Sequence, residues 1–177
     1  MIAYILFDNN FYKETIIDKT VLEYLLEDLK EIGINKIVGV KYGLDVNVNG
    51  ICEYINFNDL DKINEKSLLI SSNVFFLNKE NFKKNINKIM QKHEKKLIIS
   101  NNYGNKYHNI YGILNKEGRL IRKMTLNGFY FVNDYKTLSF LEDELRKRIN
   151  MSLINDGVII NNINSVTISK DSKISKG

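Results

Sequence analysis

Residues 2–40, IAYILFDNNFYKETIIDKTVLEYLLEDLKEIGINKIVGV, decide the fold of this chain. The apolar run at residues 2–7 predicts a buried strand, and residues 36–40 (KIVGV) predict a second one. Between them, residues 20–32 predict a helix because apolar residues recur at helical spacing, at Val21, Leu22, Leu25, Leu26, Leu29 and Ile32. Gly33 suits a left-handed helix end. This order predicts a βαβ unit with two parallel strands.

The same alternation continues over the next sixty residues. Residues 51–55, 67–71 and 97–100 predict strands, and Leu60 and Ile63 lie on a short helical segment. Residues 79–93 predict a helix with one apolar face, which includes His93. Strands that alternate with helices favour an α/β sheet covered on both faces.

The second half of the chain predicts a hairpin, a strand and a long helix. Residues 110–114 and 119–124 predict strands joined by residues 115–118, whose glycine suits a turn. Residues 128–132 (GFYFV) predict another strand, and residues 134–155 predict the longest helix, which Gly157 ends.

The tail, residues 158–177, differs in character from the rest of the chain. Ile168 and Ile174 lie six residues apart and are separated by small polar residues, which resembles the spacing of a left-handed parallel β-helix. Three repeats are usually needed for stability, so a single coil would depend on a partner. The alternative is an ordinary terminal strand pair. We therefore expect one domain over residues 1–157 and the first coil of a β-helix over residues 158–177.

Composition indicates a globular protein and excludes several kinds of site. The chain has 177 residues, of which 44% are hydrophobic and 27% charged. One cysteine and two histidines argue against a disulfide framework and against a cysteine- or histidine-rich metal centre. The net charge of +5 comes mostly from dispersed lysines, so we expect a solvated basic surface and no nucleic-acid partner. We also expect no membrane span and no signal peptide, hence a soluble cytoplasmic protein.

Five collinear segments resemble one family, the bacterial bifunctional N-acetylglucosamine-1-phosphate uridyltransferase/glucosamine-1-phosphate acetyltransferases. The clearest is residues 146–177, RKRINMSLINDGVIINNINSVTISKDSKISKG, which resembles the family's passage from a helix into its β-helix. The others are similar to short family motifs: residues 18–22 (DKTVL), 72–77 (SNVFFL), 111–112 (YG) with 117–119 (EGR), and 131–134 (FVND).

The resemblance implies a fold, a reaction and a set of site residues. The fold would be a reduced nucleotidyltransferase-like (Rossmann-like) mixed sheet flanked by helices, and the reaction would join UTP to a sugar 1-phosphate with Mg²⁺. Matched positions would place Asn73 and Asn133 at the magnesium, Gly112 at the sugar, and Lys13 or Lys19 at phosphate. The implied partners are a β-helix acetyltransferase subunit or two further copies in a homotrimer.

Three chemical elements of the family are missing from this chain. The glycine-rich phosphate loop is replaced by residues 8–14 (DNNFYKE), and an amide, Asn73, stands where the family has a metal-binding aspartate. The uridine motif expected between residues 43 and 67 is absent, and only three residues separate Met124 from Gly128, where sugar contacts belong. We therefore expect a degenerate relative without turnover that serves as an assembly or interaction module. The alternative is an active uridyltransferase that makes UDP-N-acetylglucosamine for cell-wall precursors.

Structural interpretations compete with functional ones at several positions. Asn73 could be a helix cap or loop residue, and Gly112 could be a strand glycine that allows close packing. Cys52 and His93 are expected as packed core residues. Residues 103–111, which are rich in tyrosine and contain His108, predict a surface loop, with a binding loop as the alternative.

Overall fold

A computed structural model describes residues 1–42, 46–92, 96–104, 107–115, 117–125 and 128–168 of this protein. Three α-helices lie in this part of the chain: α1 (Val21–Glu31), α2 (Lys79–Lys92) and α3 (Tyr135–Asn155). Two short 3₁₀ helices span Asn10–Lys13 and Phe57–Lys62. The strands are β1 (Ile2–Leu6), β2 (Thr15–Ile16), β3 (Lys19–Thr20), β4 (Lys36–Lys41), β5 (Glu53–Asn56), β6 (Ser67–Ser71), β7 (Val74–Phe76), β8 (Lys96–Tyr103), β9 (Tyr107–Leu114), β10 (Leu120–Lys123) and β11 (Phe129–Phe131).

A seven-stranded, mostly parallel sheet forms the centre of the fold, in the order β10-β9-β8-β6-β1-β4-β5. The five strands β8, β6, β1, β4 and β5 run parallel, whereas β9 and β10 are antiparallel to their neighbours. Numbered along the chain, the parallel strands lie in the order 5-4-1-2-3, which is the order of a doubly wound sheet. The order reverses between β1 and β6, so a crevice is expected outside the carboxyl ends of these two strands.

Helix α1 begins and ends where the sequence predicts. The Thr20 hydroxyl accepts the Glu23 N–H, and the Glu23 carboxylate accepts the Thr20 N–H at 2.7 Å, so a capping box holds the first turn. Gly33 follows the last turn with φ +93°, a conformation that glycine adopts without strain. The predicted βαβ unit is confirmed, because β1 and β4 pair in parallel on either side of α1 in the chain.

Each face of the sheet has its own apolar core. On one face, Ala3 and Ile5 of β1 belong to a buried cluster that includes Leu25 of α1 and Phe82 of α2. On the other face, the cluster around Tyr4 and Leu6 is covered by Leu60 from the second 3₁₀ helix. The expected α/β sheet with two covered faces is thus confirmed, with a 3₁₀ segment in place of a full helix on the second face.

Two sequence-based expectations need correction, and one strand was missed. Residues 103–111 do not form a surface loop, because their described part belongs to the β8–β9 hairpin, in which Tyr103 and Tyr111 are buried. Cys52 is exposed instead of packed in the core, since it precedes the edge strand β5, which only one neighbour covers. Strand β7 was not anticipated and pairs antiparallel with β11 in a separate small sheet. His93 lies outside the described residues.

Helix α3 follows the Asp134 cap and carries the described part of the tail. Residues 158–168 contain a turn and a bend but no strand, and they contact α3 through Asn150, which is fully buried. The Asn150 side-chain Nδ2 donates to the backbone oxygens of Ile163 at 2.7 Å and Val166 at 2.8 Å. Residues 169–177, including Ile174, lie outside the described residues, so the β-helix coil stays a prediction. No described helix combines the length and apolarity needed to cross a membrane.

Candidate functional site

A partly buried carboxylate, that of Asp8, lies at the point where the order of the parallel strands reverses. Asp8 follows β1, and its Oδ2 accepts hydrogen bonds from Ser71 Oγ at 2.6 Å, from Ser100 Oγ at 3.2 Å and from the Asn102 N–H at 3.0 Å. Ser71 ends β6, and the other two donors lie in β8. Three neighbouring parallel strands therefore converge on one side chain because their carboxyl ends meet at the same edge.

Burial dominates the electrostatics of Asp8. Desolvation raises the pKa of its carboxyl above the ordinary value of 3.8, although the hydrogen bonds from Ser71, Asn102 and Ser100 act in the opposite direction. Its second oxygen, Oδ1, is buried and receives no hydrogen bond from another described residue. The Asp8 carboxylate is therefore largely removed from water, and other described residues donate hydrogen bonds to only one of its two oxygens.

A cleft of about 200 Å³ opens beside Asp8. Its lining residues are Phe7, Asp8, Asn9, Asn10, Tyr42, Asn102 and Gly104. The Tyr42 hydroxyl is buried, and it donates to no acceptor among the described residues. Desolvation and the nearby Asp8 charge raise the pKa of Tyr42. The cleft thus combines a carboxylate, a phenol, neutral amides and aromatic walls.

The two residues that the family resemblance assigns to magnesium are brought together next to this cleft. Asn73, 60 positions before Asn133, donates its Nδ2 to the Asn133 Oδ1 at 2.7 Å and to the Val132 backbone oxygen at 3.0 Å. Asn9 also donates to the Asn133 Oδ1, at 3.2 Å, and Asn133 donates to the Asn101 Oδ1 at 3.1 Å. The four asparagines form one amide cluster at the sheet edge.

The amide cluster does not favour magnesium in this arrangement. The side-chain amides of Asn9 and Asn73 already donate to the Asn133 Oδ1, so a metal ion that binds this oxygen would have to replace these hydrogen bonds. The Asn73 Oδ1 is buried without a hydrogen-bond partner, but it is a single neutral oxygen, and magnesium prefers several hard ligands in an octahedron. No group of three His, Cys, Asp or Glu side chains within the described ranges is placed to hold a metal. The magnesium assignment stays a prediction.

The two lysines predicted to contact phosphate point to other partners. Lys19 forms an ion pair with Glu27 of α1, with 2.9 Å between its Nζ and the carboxylate Oε1. Lys13 is exposed and lies with its Nζ 5.4 Å from the centre of the Tyr12 ring. Neither lysine lines the cleft beside Asp8. Their role at phosphate stays a prediction.

Gly112 lies in the interior of the sheet. It is a buried residue of β9, paired with Ile98 on one side and with Lys123 on the other. A Cβ atom there would come within 2.5 Å of the Arg122 backbone oxygen, so close strand packing accounts for the glycine. This geometry supports the structural interpretation of Gly112, and its contact with sugar stays a prediction.

A second, larger groove runs between α3 and the body of the domain. It has a volume of about 380 Å³, and apolar side chains from β7 and α3 form much of its lining, namely Phe75, Phe76, Leu145, Ile149 and Leu153. Lys79 at its rim is paired with Asp28 and Glu31. The groove exists because the carboxyl-terminal half of α3 packs loosely on the domain, with Asn150 as its one fully buried residue in the described chain.

The sequence reasoning missed Asp8, Ser71 and Ser100 as a group. Each follows or ends an apolar strand run, in LFDNN, LISSN and IISNN, so the polar strand ends were visible. Their convergence depends on the strand order, which local patterns do not determine.

No protein-family model matches the chain, and no curated protein matches it significantly. The fold and the crevice define a mixed α/β domain with a mostly parallel sheet and a polar site where its strand order reverses.

Proposed function

We propose that this protein is a degenerate relative of the sugar-phosphate nucleotidyltransferases that lacks turnover and serves as an assembly or interaction module. The observation that carries this proposal is the partly buried carboxylate of Asp8 at the switch point. In nucleotide-binding domains of this architecture, backbone N–H groups of a glycine-rich loop and nearby cations hold phosphate at that place.

Electrostatics argue against a triphosphate in this crevice. Two like unit charges 4 Å apart repel by about 4 kcal/mol at an effective dielectric constant near 20, and a triphosphate carries several negative charges. None of the residues that line the described cleft is a lysine or an arginine. Lys19, the other lysine predicted to contact phosphate besides Lys13, is paired with the Glu27 carboxylate. The site therefore offers repulsion where the family reaction needs charge neutralisation.

The interaction surface that we propose is the outer side of α3 with the start of the tail. Phe140, Met151 and Ile154 are 44%, 50% and 37% exposed, and Ile159 is 90% exposed. Clustered exposed apolar side chains mark interaction sites more often than isolated ones. We assign this surface to contacts between copies of the chain in a homotrimer, with a β-helix acetyltransferase subunit as the alternative partner.

A turnover assay tests the first half of the proposal. The full chain is incubated with UTP, N-acetylglucosamine 1-phosphate and Mg²⁺, and released pyrophosphate is measured against a reaction without protein. We expect no release above that control. Pyrophosphate release that depends on the protein would establish the active uridyltransferase instead. That alternative places Asn73 and Asn133 at the magnesium, so Asn73→Ala and Asn133→Ala would then abolish the activity.

Light scattering of the full chain tests the second half. We expect a mass above that of the 20.6 kDa monomer, and we expect the double variant Met151→Lys/Ile154→Lys to reduce it. Ile121→Lys is the matched control, since Ile121 is also 50% exposed but lies on β10. A monomeric wild-type chain that also fails to bind a β-helix acetyltransferase would refute the assembly role.

A further inference from the structure

We propose that the cleft beside Asp8 binds a small organic molecule through a primary ammonium group. The proposed ammonium site does not depend on whether the protein catalyses the uridyltransferase reaction, because it requires only the negative charge of Asp8 in the cleft. Its acceptor is the Asp8 carboxylate, and its walls are the aromatic rings and amides that line the cleft.

The Asp8 carboxylate has one oxygen, Oδ1, that receives no hydrogen bond from another described residue and is covered by protein atoms. Its three donors all converge on Oδ2. An ionised carboxylate has about four acceptor positions, so Oδ1 can accept a ligand N–H while Oδ2 keeps Ser71, Ser100 and Asn102, provided that the atoms covering Oδ1 move aside when the ligand binds. The hydrogen bonds to Oδ2 therefore fix the orientation of the carboxylate, and Oδ1 is its unused acceptor.

The charge of Asp8 lacks a cationic partner among the side chains that line the described cleft. Buried charges in proteins are normally paired or bound to a metal, because an isolated desolvated charge is costly. A ligand ammonium would supply both the missing positive charge and an N–H donor.

The remaining walls favour an organic cation over an inorganic one. Phe7 and Tyr42 contribute aromatic rings, whose faces attract cations, and the amides of Asn9 and Asn10 are neutral. Magnesium, by contrast, requires near-octahedral coordination by hard oxygen atoms. The cleft volume of about 200 Å³ lies below the roughly 300–1,000 Å³ of pockets for drug-sized ligands, so the ligand is a small amine.

Paired probes that differ in one group test this site. 2-Aminoethanol hydrochloride is titrated into the ¹⁵N-labelled full chain at constant ionic strength and pH, in a buffer without amines. Ethylene glycol is the neutral probe of the same shape, and sodium chloride and magnesium chloride are the inorganic cation probes. The Asn102 amide signal reports the site because this N–H donates to Asp8. We expect a saturable shift of this signal with 2-aminoethanol and none with the other three probes.

Three variants decide whether Asp8 is responsible. Asp8→Asn keeps the shape of the side chain and should weaken 2-aminoethanol binding at least tenfold. Tyr42→Phe keeps the ring and should weaken binding severalfold, which provides a second measurement if Asp8→Asn does not fold. Glu144→Gln removes a carboxylate on α3, where Glu144 pairs with Lys147, and should leave binding unchanged.

The other outcomes overturn the proposal. An equal response to ethylene glycol would show a neutral hydroxyl site, and an equal response to sodium or magnesium would show an inorganic cation site. Unchanged binding in Asp8→Asn would place the amine elsewhere, and no saturable shift in the wild type would remove the site. These results leave the pyrophosphate assay unaffected, so failure here is distinguishable from failure of the proposed function.

Discussion

The pH dependence of stability tests the buried charge of Asp8 directly. Desolvation raises its pKa in the folded state above the unfolded value near 3.8, so the folded protein binds more protons than the unfolded chain between these two values. The stability of the wild type relative to Asp8→Asn should therefore fall as pH rises through that window, and then become constant. One proton limits the slope of this difference to about 1.4 kcal/mol per pH unit. Asp8→Asn also replaces charge-assisted hydrogen bonds with neutral ones, which changes the difference in the free energy of unfolding by a constant amount.

Urea unfolding between about pH 4 and about pH 8 measures this difference, because the other carboxylates contribute equally to both proteins and cancel. Tyr42 is the titratable group that faces Asp8 in the described cleft, and its raised pKa keeps it protonated throughout this range. Asn155→Ala is the control, because it removes no titratable group, and it should give a flat difference from the wild type. Parallel curves for wild type and Asp8→Asn, or a relative gain for the wild type as pH rises, would refute the reasoning.

Three further substitutions test the packing around the site and the tail. Gly112→Ala should lower the free energy of unfolding by about 1–3 kcal/mol, because its Cβ would contact a backbone oxygen at 2.5 Å; an unchanged urea midpoint would contradict this. Thr20→Ala should cost about 1 kcal/mol by removing half of the capping box, again by urea unfolding. Asn150→Ala should release the tail, seen as faster proteolytic cleavage within residues 158–168, whereas Asn155→Ala at the exposed helix end should not.

Local sequence patterns predicted most helices and strands because these depend on local physics. The apolar spacing of α1 and its flanking Thr20 and Gly33 determine where that helix begins and ends. Cys52 shows where such reasoning fails, because its exposure depends on β5 being the edge strand. The short pairing of β7 with β11 was missed for a related reason, since it joins segments more than fifty residues apart. Strand order and long-range pairing are tertiary properties that residue spacing does not encode.

The candidate site was predictable in its parts but not as a whole. The family resemblance singled out Asn73 and Asn133, and the fold brings them into hydrogen-bond contact. It gave no reason to single out Ser71 or Ser100, and residue 8 was noted only as the first residue of the segment that replaces the phosphate loop. Asp8 became the centre of the site only when the order of β8, β6 and β1 placed their carboxyl ends side by side.

On our proposal, the sign of the charge in the crevice, more than the crevice's shape, distinguishes this domain from a nucleotide-binding one. The doubly wound sheet creates a crevice at its switch point whatever residues end the strands. Glycines and cations at those ends would make the crevice attract phosphate, whereas Asp8 with neutral amides and aromatic rings makes it attract cations. The net charge of +5 does not change this, because the lysines are dispersed over the chain and Lys19 is paired on α1. The ligand chemistry therefore follows from the few side chains at the strand ends and not from the charge of the whole protein.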